Sequence, residues 1–263
     1  MAMKRVKVRI DTGVVCEQYV YSVPEKCDIR TTKPRKPRFA DEAERKEHRR
    51  RIAEREHRRK FMENFHAGDL YSTLTFDDEH ELHDFKEARR IRDNYFRRLQ
   101  RACPDAVIFI YMGRGKSTSR IHFHMVTKGI PEDTIREKWG MGDIDRIEEL
   151  RKECWYEDEP GKWVNHGPDF TALANYLFGH WTEEQGGHRY KCTRNARIPK
   201  VEKSNIKEVK RDYCEKHPPR APKGYMLVEV QGNKYGYWWF KYVKKPMPKP
   251  VGRPRKDRVE LKS

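Results

Sequence analysis

One short segment constrains the fold of this chain more than any other. Residues 120–127 read Arg-Ile-His-Phe-His-Met-Val-Thr, a mixture of β-branched and apolar residues that is typical of a strand. Side chains on a strand alternate between its faces, so His122 and His124 share one face while Phe123 points to the other. The pattern predicts a sheet with one apolar face and one face carrying two imidazoles about 7 Å apart. The alternative is a solvated strand face with two histidines and no ligand.

The charge of the chain indicates the kind of partner. Lys and Arg total 58 against 41 Asp and Glu, which gives a net charge of +17 and an isoelectric point near 9.6. This excess is typical of proteins that bind nucleic acid, although ribosomal and membrane-surface proteins are also basic. Only 36% of the residues are hydrophobic, below the usual value of about 45 to 50%. The core is therefore expected in part of the chain only.

The cysteines and the hydropathy exclude several other classes of protein. The six cysteines are widely separated and form no Cys-x-x-Cys pair, so neither a zinc ribbon nor a disulfide framework is expected. They are typical of reduced cysteines in a cytoplasmic protein. No segment approaches 18 consecutive apolar residues, and no signal peptide is recognisable at the N-terminus. We expect a cytoplasmic protein without a membrane partner.

Composition divides the chain into four regions. Residues 1–66 form a basic N-terminal arm, residues 67–190 a central domain, residues 191–243 a basic extension with an aromatic hairpin, and residues 244–263 a disordered basic tail. The central region is predicted to alternate strand, helix, strand, strand, helix, strand and helix. This order is that of an α+β fold, an antiparallel sheet with helices packed on it.

Periodicity and turn signals place the elements within these regions. The predicted strands are 6–10, 14–23, 70–76, 106–112, 120–127, 144–150 and a hairpin of 225–230 with 235–243. The predicted helices are 81–102, announced by acidic residues at 77–79, together with 131–139 and 169–180. Residues 113–119 are predicted to form a turn.

The flanking regions leave three alternatives open. Residues 40–65 are predicted to form a charged helix, either solvated or gripping phosphates through its arginines. The aromatic residues of the 225–243 hairpin serve either packing or base stacking. A Pro-rich basic connector at 31–38 precedes the helix at 40–65. In the C-terminal tail, residues 252–256 resemble an AT-hook, because Arg253 and Arg255 flank a proline. Such a short pattern also occurs by chance.

Three segments in the central region resemble the HUH superfamily of single-strand DNA nucleases, and most closely its rolling-circle replication initiators of plasmid and filamentous-phage type. Residues 71–76, Tyr-Ser-Thr-Leu-Thr-Phe, resemble the first-strand motif of the family. Residues 121–126 match its His-hydrophobic-His motif, and Tyr176 lies where the family has a single nucleophilic tyrosine on a helix. The resemblance covers roughly residues 68–185 and implies the RRM-like or ferredoxin-like core of HUH endonucleases.

The resemblance implies a metal-dependent transesterification. Mg²⁺ or Mn²⁺ held by His122 and His124 would activate the scissile phosphate of a single-stranded or hairpin origin. Tyr176 would attack it and form a 5′-phosphotyrosine, although a free phenol, with a pKa of about 10, is a poor nucleophile. Imidazole ligands favour Mn²⁺ over Mg²⁺. Tyr71, Tyr95 and Tyr111 are poorer nucleophile candidates because strand or core packing explains each of them.

The sequence departs from the family pattern at two positions. Many relatives carry Lys three residues after the nucleophile, where this chain has Gly179. Many also carry an acidic ligand on the strand before the His pair, but this strand ends Ile-Tyr-Met-Gly at 110–113. His180 is the preferred third ligand, because it follows Tyr176 by four residues and so lies on the same helical face. The acidic residues at 77–79 are the less favoured candidates for this ligand. A helix C-terminal contact is the alternative role for His180.

The remaining sequence signals concern DNA and nucleotides. The candidate DNA contacts are Thr73, Thr75, Arg114, Lys116, Arg120, Arg253 and Arg255. The run 113–118, Gly-Arg-Gly-Lys-Ser-Thr, lacks the first glycine of a phosphate-binding loop and leads into a strand, so no nucleotide site is expected. Unwinding is therefore expected from a host helicase. The alternatives are a non-catalytic basic DNA-binding protein with this fold, or a relaxase or transposase of the same superfamily. Relaxases are less favoured because they usually carry a third His in the His cluster, and the strand at 120–127 has none.

Overall fold

The computed structural model describes residues 3–24, 41–115, 119–206, 213–233 and 236–245. The helices and strands of this part of the chain are, in order, β1 (Met3–Asp11), β2 (Val15–Pro24), α1 (Glu42–Asn64), β3 (Leu70–Leu74), α2 (Phe85–Ala102), β4 (Val107–Arg114), β5 (Ile121–Lys128), α3 (Glu132–Trp139), β6 (Ile144–Glu149), β7 (Trp155–Glu159), β8 (Lys162–Asn165), α4 (Thr171–Gly179), β9 (Tyr190–Cys192), β10 (Val201–Ile206), β11 (Tyr225–Gly232) and β12 (Trp238–Lys244). The predicted α+β class with antiparallel sheets and helices packed on them is confirmed.

A central five-stranded antiparallel sheet has the order β6-β3-β5-β4-β9. Alternation along its strands separates two apolar clusters. Ile110 and Phe123 belong to the cluster under α2 and α3. Tyr71 and Tyr111 belong to the cluster that includes the end of α1 and the buried side of α4. The histidines of β5 lie on this second face, which α4 covers only in part.

The start of α2 corrects one sequence prediction. The helix begins at Phe85, and the side chain of Asp84 caps it by accepting hydrogen bonds from the backbone N–H groups of Lys86 and Glu87. The signal at 77–79 belongs instead to a turn, in which Asp77 accepts a hydrogen bond from the backbone of His80. Acidic residues satisfy free N–H groups in both settings, so composition alone does not distinguish a cap from a turn.

The second sheet contains strands from both the N-terminal and the C-terminal parts of the described chain. Its order is β10-β1-β2-β12-β11, and β2 pairs with β12 in antiparallel register. The predicted strands of the N-terminal arm and the predicted hairpin of the extension are therefore parts of one sheet. The boundaries drawn from composition separated them, because strand pairing over 200 residues leaves no local signal.

The charge of residues 40–65 favoured a solvated helix, and helix α1 is solvated only in part. Its first half is exposed, but His57, Phe61 and Met62 near its end are buried against the central sheet. Arg59 donates to Glu17 of β2, a carboxylate that is only 3% exposed. At least one of the arginines considered for phosphate contact therefore neutralises a buried acid within the fold.

Several other sequence predictions receive an answer here. The strand β4 continues to Arg114, so Gly113 lies in a strand and not in the predicted turn. The hairpin of β7 and β8 was not predicted. The five cysteines in the described ranges are free thiols. Lys116, Arg253, Arg255, the connector at 31–38, the AT-hook-like segment at 252–256 and all of the tail after residue 245 lie outside the described residues. Among the helices that are described, none combines the length and apolar character needed to cross a bilayer.

Candidate metal and tyrosine site

The pairing of β5 with its neighbours brings its two histidines together over the open sheet face. His124 lies opposite Thr73 of β3, and His122 lies opposite Gly113 of β4. The Nε2 atoms of His122 and His124 are 3.0 Å apart. Two nitrogens that bind one ion at about 2.1 Å are separated by about 3.0 to 3.4 Å, depending on the bond angle. The pair therefore has the spacing of two ligands to one metal ion.

His180 completes a cluster of three imidazoles. It directly follows α4, and its ring centroid lies 4.4 Å from that of His124 and 5.8 Å from that of His122. One ring nitrogen from each histidine lies within 4.8 Å of the other two. The cluster can hold a metal ion, and His180 supplies the third nitrogen. The backbone N–H of His180 also bonds to the carbonyl of Leu177, so the helix-end contact and the ligand position coexist.

Two of the three acidic residues considered as third ligands are engaged elsewhere. Asp77 lies 2.6 Å from Nδ1 of His80, and Asp78 forms an ion pair of 2.8 Å with Arg120. Neither these two nor Glu79 belongs to the three-histidine group found among the described residues. The structure therefore brings His180, and not an acid, to the histidine pair.

Gly113 provides the space in which His122 and His180 meet. A Cβ atom at position 113 would lie 2.7 Å from Nε2 of His122 and 2.9 Å from Nδ1 of His180. These separations are shorter than any ordinary contact of a Cβ atom. Strand β4 thus has a residue without a side chain one position before its end, and His180 approaches through that space.

Two hydroxyl groups on β3 fix the orientation of the His124 ring. Its Nδ1 lies 2.8 Å from the hydroxyl of Tyr71 and 3.3 Å from Oγ1 of Thr73. A hydrogen bond at Nδ1 leaves Nε2 directed at His122 and His180, and such partners hold metal-binding imidazoles in many proteins. The sequence suggested packing for Tyr71 and DNA contact for Thr73. Their common register opposite β5 was the missing information.

Burial keeps the histidine pair in the form that binds metals. Burial lowers the pKa of His122. The pKa of His124 is lowered to about 3, first by burial and then by the neighbouring His180 and His122. Both rings are therefore neutral at pH 7, and a neutral imidazole has the free lone pair that a metal ion needs.

Tyr176 lies beside this cluster. Its ring centroid is 4.5 Å from that of His180 and 5.7 Å from that of His124. Tyr176 is 54% exposed, whereas Tyr71, Tyr95 and Tyr111 are buried. Of the four tyrosines weighed as nucleophiles, Tyr176 is therefore the one that an external phosphate can reach. The spacing of four residues in α4 explains why it stacks edge-on against His180.

A buried ion pair anchors the beginning of α4. Asp169 accepts hydrogen bonds from the backbone N–H and hydroxyl of Thr171, and its other oxygen lies 2.9 Å from Nζ of Lys241. Asp169 and Lys241 are both buried. Because Lys241 belongs to β12, the second sheet fixes the helix that carries Tyr176. No sequence motif indicated this pair.

The remaining candidate DNA contacts take part in contacts within the protein. Arg114 pairs with Glu184 at 3.1 Å, and Arg120 contacts Asp78. Thr75 donates to the carbonyl oxygen of Asp143. Contact of these three side chains with DNA stays a prediction.

Comparison of the chain with models of protein families, with curated proteins and with solved structures gave no match.

Proposed function

We propose that this protein is a metal-dependent nuclease and strand transferase that nicks and rejoins single-stranded origin DNA, as the initiators of rolling-circle replication do. One observation carries the proposal: an exposed phenol, that of Tyr176, lies against a cluster of three histidines. A tyrosine beside a metal site has the arrangement needed to attack a phosphodiester. The net charge of +17 is consistent with a polyanionic substrate.

The donor set supports a divalent cation as the cofactor. His122, His124 and His180 would hold it through nitrogen, and three protein ligands leave positions open for a phosphate oxygen. Imidazole nitrogen suits Mn²⁺ better than Mg²⁺, which prefers oxygen ligands, so Mn²⁺ is the ion to test first. When bound, the ion would withdraw charge from the scissile phosphate and stabilise its pentavalent transition state.

The protein residues then have defined tasks. The phenolic oxygen of Tyr176 attacks phosphorus, an O–P bond forms, and the P–O3′ bond breaks. The phenolic proton ends on the released 3′ oxygen, so charge and atoms balance. Because the 5′-phosphotyrosine retains the energy of the broken bond, attack by a 3′-OH reseals a strand without ATP. Meanwhile, the contacts of Asp169 with Lys241 and Thr171 hold the start of α4 and thus the position of the phenol.

The experiment is the formation of a covalent adduct. The full chain is incubated with Mn²⁺ and a pool of single-stranded oligonucleotides with a randomised centre, and adducts are detected by denaturing electrophoresis. We expect an adduct with the wild type and none with Tyr176→Phe, which retains the ring and its packing. Tyr21→Phe, a change on β2 away from the cluster, is the matched control and should behave as wild type.

Each failure has a distinct meaning. An adduct in Tyr176→Phe would refute the nucleophile. Full activity in the double variant His122→Ala with His124→Ala would refute the role of the metal. No adduct with the wild type in Mn²⁺ or Mg²⁺ would favour the non-catalytic DNA-binding alternative. An origin carried on a supercoiled plasmid and a host helicase are the substrate and partner expected for the complete reaction.

A further inference from the structure

A two-stranded hairpin beside the start of α4 exposes two tryptophans. Strands β7 and β8 pair with each other in a sheet of two strands. Trp155 lies opposite Asn165, and Trp163 lies opposite Glu157, so both indole rings project from the same face of the hairpin. Trp155 is 54% exposed and Trp163 is 58% exposed. Large apolar side chains that adjoin each other in solvent indicate an interaction surface.

The two rings border a cavity that reaches the proposed site. Its volume is about 500 Å³, and its walls include Leu173 of α4 and Tyr71 of β3. Leu173 precedes Tyr176 by three residues, and the hydroxyl of Tyr71 contacts His124. We call this cavity and its two tryptophans the tryptophan surface. It extends from the hairpin to the helix that carries the proposed nucleophile.

The tryptophan surface is acidic, although the chain as a whole is basic. Its walls carry the three acidic side chains of Glu148, Glu149 and Glu153 together with the basic side chain of Arg151. Glu148 lies 3.6 Å from Arg146. Glu149 and Glu153 have no ion-pair partner within the described ranges. Complementary charge favours association, so this surface repels phosphates and attracts a segment rich in Lys and Arg.

The described chain ends beside the tryptophan surface. The backbone oxygen of Lys244 lies 3.7 Å from the position that a Cβ atom of Gly167 would take. The carbonyl of Gly167 accepts a hydrogen bond of 2.7 Å from the N–H of Cys154, which belongs to the cavity wall. Residues 246–263 follow, and each extended residue spans about 3.3 Å. The beginning of this segment is therefore close enough to contact the tryptophans.

The composition of residues 246–263 matches the tryptophan surface in two respects. The segment has six Lys and Arg against two acidic residues, a net charge of +4. It also has four prolines, at positions 246, 248, 250 and 254. Proline-rich segments bind grooves lined by aromatic rings with little loss of conformational entropy. Lys and Arg bind the face of tryptophan through cation–π interactions.

We propose that the tryptophan surface binds residues 246–263 of its own chain. The prolines pack on the rings of Trp155 and Trp163, and the basic side chains lie beside Glu149 and Glu153. The bound segment lies along the start of α4, one turn before Tyr176. Its effect on cleavage rests on the proposed function. A DNA strand attracts the same basic side chains, so DNA and the tryptophan surface compete for the segment.

The first arm of the test is chemical cross-linking of the full chain in EDTA. A carbodiimide joins a lysine amine directly to a carboxylate that it contacts, without a spacer. The product that migrates as a monomer in denaturing electrophoresis is digested, and its linked peptides are identified by mass spectrometry. We expect links from Lys249, Lys256 or Lys262 to Glu149 or Glu153.

Two variants that retain every charge test the tryptophans and the prolines separately. Trp155→Ser with Trp163→Ser should reduce the yield of these links about fivefold or more, because the ring faces are lost. Replacement of the prolines at 246, 248 and 250 by serine should reduce the yield likewise. An unchanged yield in either variant overturns the inference, since attraction of charges alone would then explain the links.

The matched control is Ile198→Ser with Val201→Ser. These two residues are 79% and 52% exposed and lie outside the tryptophan surface. The control should give the same links as the wild type. Links that occur solely between two chains would assign the surface to a second copy of the protein and overturn the inference. An absence of links in the wild type, with weaker oligonucleotide binding by Trp155→Ser with Trp163→Ser, would assign the surface to DNA bases and also overturn it.

The second arm adds a single-stranded oligodeoxythymidine before the carbodiimide, still in EDTA. We expect fewer links, because the phosphates compete for the basic side chains of residues 246–263. An unchanged yield with the oligonucleotide bound would overturn the competition. The adduct experiment decides the proposed function independently. If the wild type forms no adduct but shows the links, the proposed function fails and the binding of residues 246–263 to the tryptophan surface stands.

Discussion

The histidine cluster depends on the absence of a side chain at position 113, so Gly113→Ala is its most direct test. A Cβ atom there would lie 2.7 Å from Nε2 of His122 and 2.9 Å from Nδ1 of His180, whereas ordinary contact begins at 3.4 Å. The two nitrogens must therefore retreat by about 3.4 − 2.7 = 0.7 Å and 3.4 − 2.9 = 0.5 Å. Metal ligands tolerate about 0.2 Å of error in bond length. Displacements this large separate His180 from the pair.

We expect Gly113→Ala to weaken Mn²⁺ binding at least about tenfold, equivalent to about 1.4 kcal/mol. Isothermal titration of the full chain with MnCl₂ measures this loss. Replacing glycine by alanine in a strand normally adds about 0.5 to 1 kcal/mol of stability, which offsets part of the local strain. Circular dichroism melting therefore separates a loss of affinity from a loss of fold.

Gly179→Ala is the matched control for this substitution. Gly179 lies in α4 between Tyr176 and His180, but a Cβ atom there meets nothing within 4 Å. The same chemical change, made three residues after Tyr176, should therefore leave the Mn²⁺ affinity unchanged. If Gly113→Ala binds Mn²⁺ as tightly as Gly179→Ala does, the three histidines do not converge on one ion.

Three further changes test separate parts of the fold and site. Tyr71→Phe removes the hydroxyl 2.8 Å from Nδ1 of His124, so Mn²⁺ affinity in the same titration should fall about 10- to 100-fold; unaltered affinity contradicts the orienting contact. Lys241→Met leaves the buried carboxylate of Asp169 unpaired and should lower the free energy of unfolding in urea by about 3 to 5 kcal/mol, whereas wild-type stability would refute the anchor. Burial holds the pKa of His57 at about 3, below its value of about 6.5 in an unfolded chain. Between about pH 6.5 and 3 only the unfolded state therefore takes up this proton, so the free energy of unfolding decreases as the pH is lowered below about 6.5. His57→Phe should reduce the slope of unfolding free energy against pH by up to about 1.4 kcal/mol per pH unit. If the variant and the wild type have equal slopes, both measured in EDTA, the burial of His57 is contradicted.

The sequence predicted the faces of the central sheet because side-chain alternation is a local property. His122 and His124 share a face, and Phe123 is buried on the other, as the pattern of β5 requires. The order of elements from β3 to β6 was likewise visible, since strand and helix periods differ, whereas β7, β8, β9 and β10 were not predicted. What a single sequence does not contain is the cross-strand register, which depends on pairing between distant segments. Tyr71 was therefore interpreted as packing, although its hydroxyl reaches His124.

Gly113 illustrates the same limit in a different way. Beside Arg114 and Gly115 it has the composition of a turn, and a local pattern favours that interpretation. In the structure Gly113 is the second-last residue of β4. It matters because the side chains of His122 from β5 and His180 from the end of α4 occupy the space where a Cβ atom would lie. The buried pair of Asp169 and Lys241 was invisible for the same reason, because 72 residues separate the partners.

The placement of His180 has a consequence for how the site can assemble. Helix α4 carries Tyr176 and ends next to His180, so one rigid element positions both the phenol and the third nitrogen of the histidine cluster. Any shift of α4 that moves the phenol also moves the third nitrogen, so in the proposed site the position of Tyr176 and the affinity for an ion would be thermodynamically linked. A carboxylate on β4 would leave the two independent, since β4 is fixed within the sheet. In the proposed site, glycine at position 113 is therefore the condition under which metal binding and the orientation of the tyrosine would depend on each other.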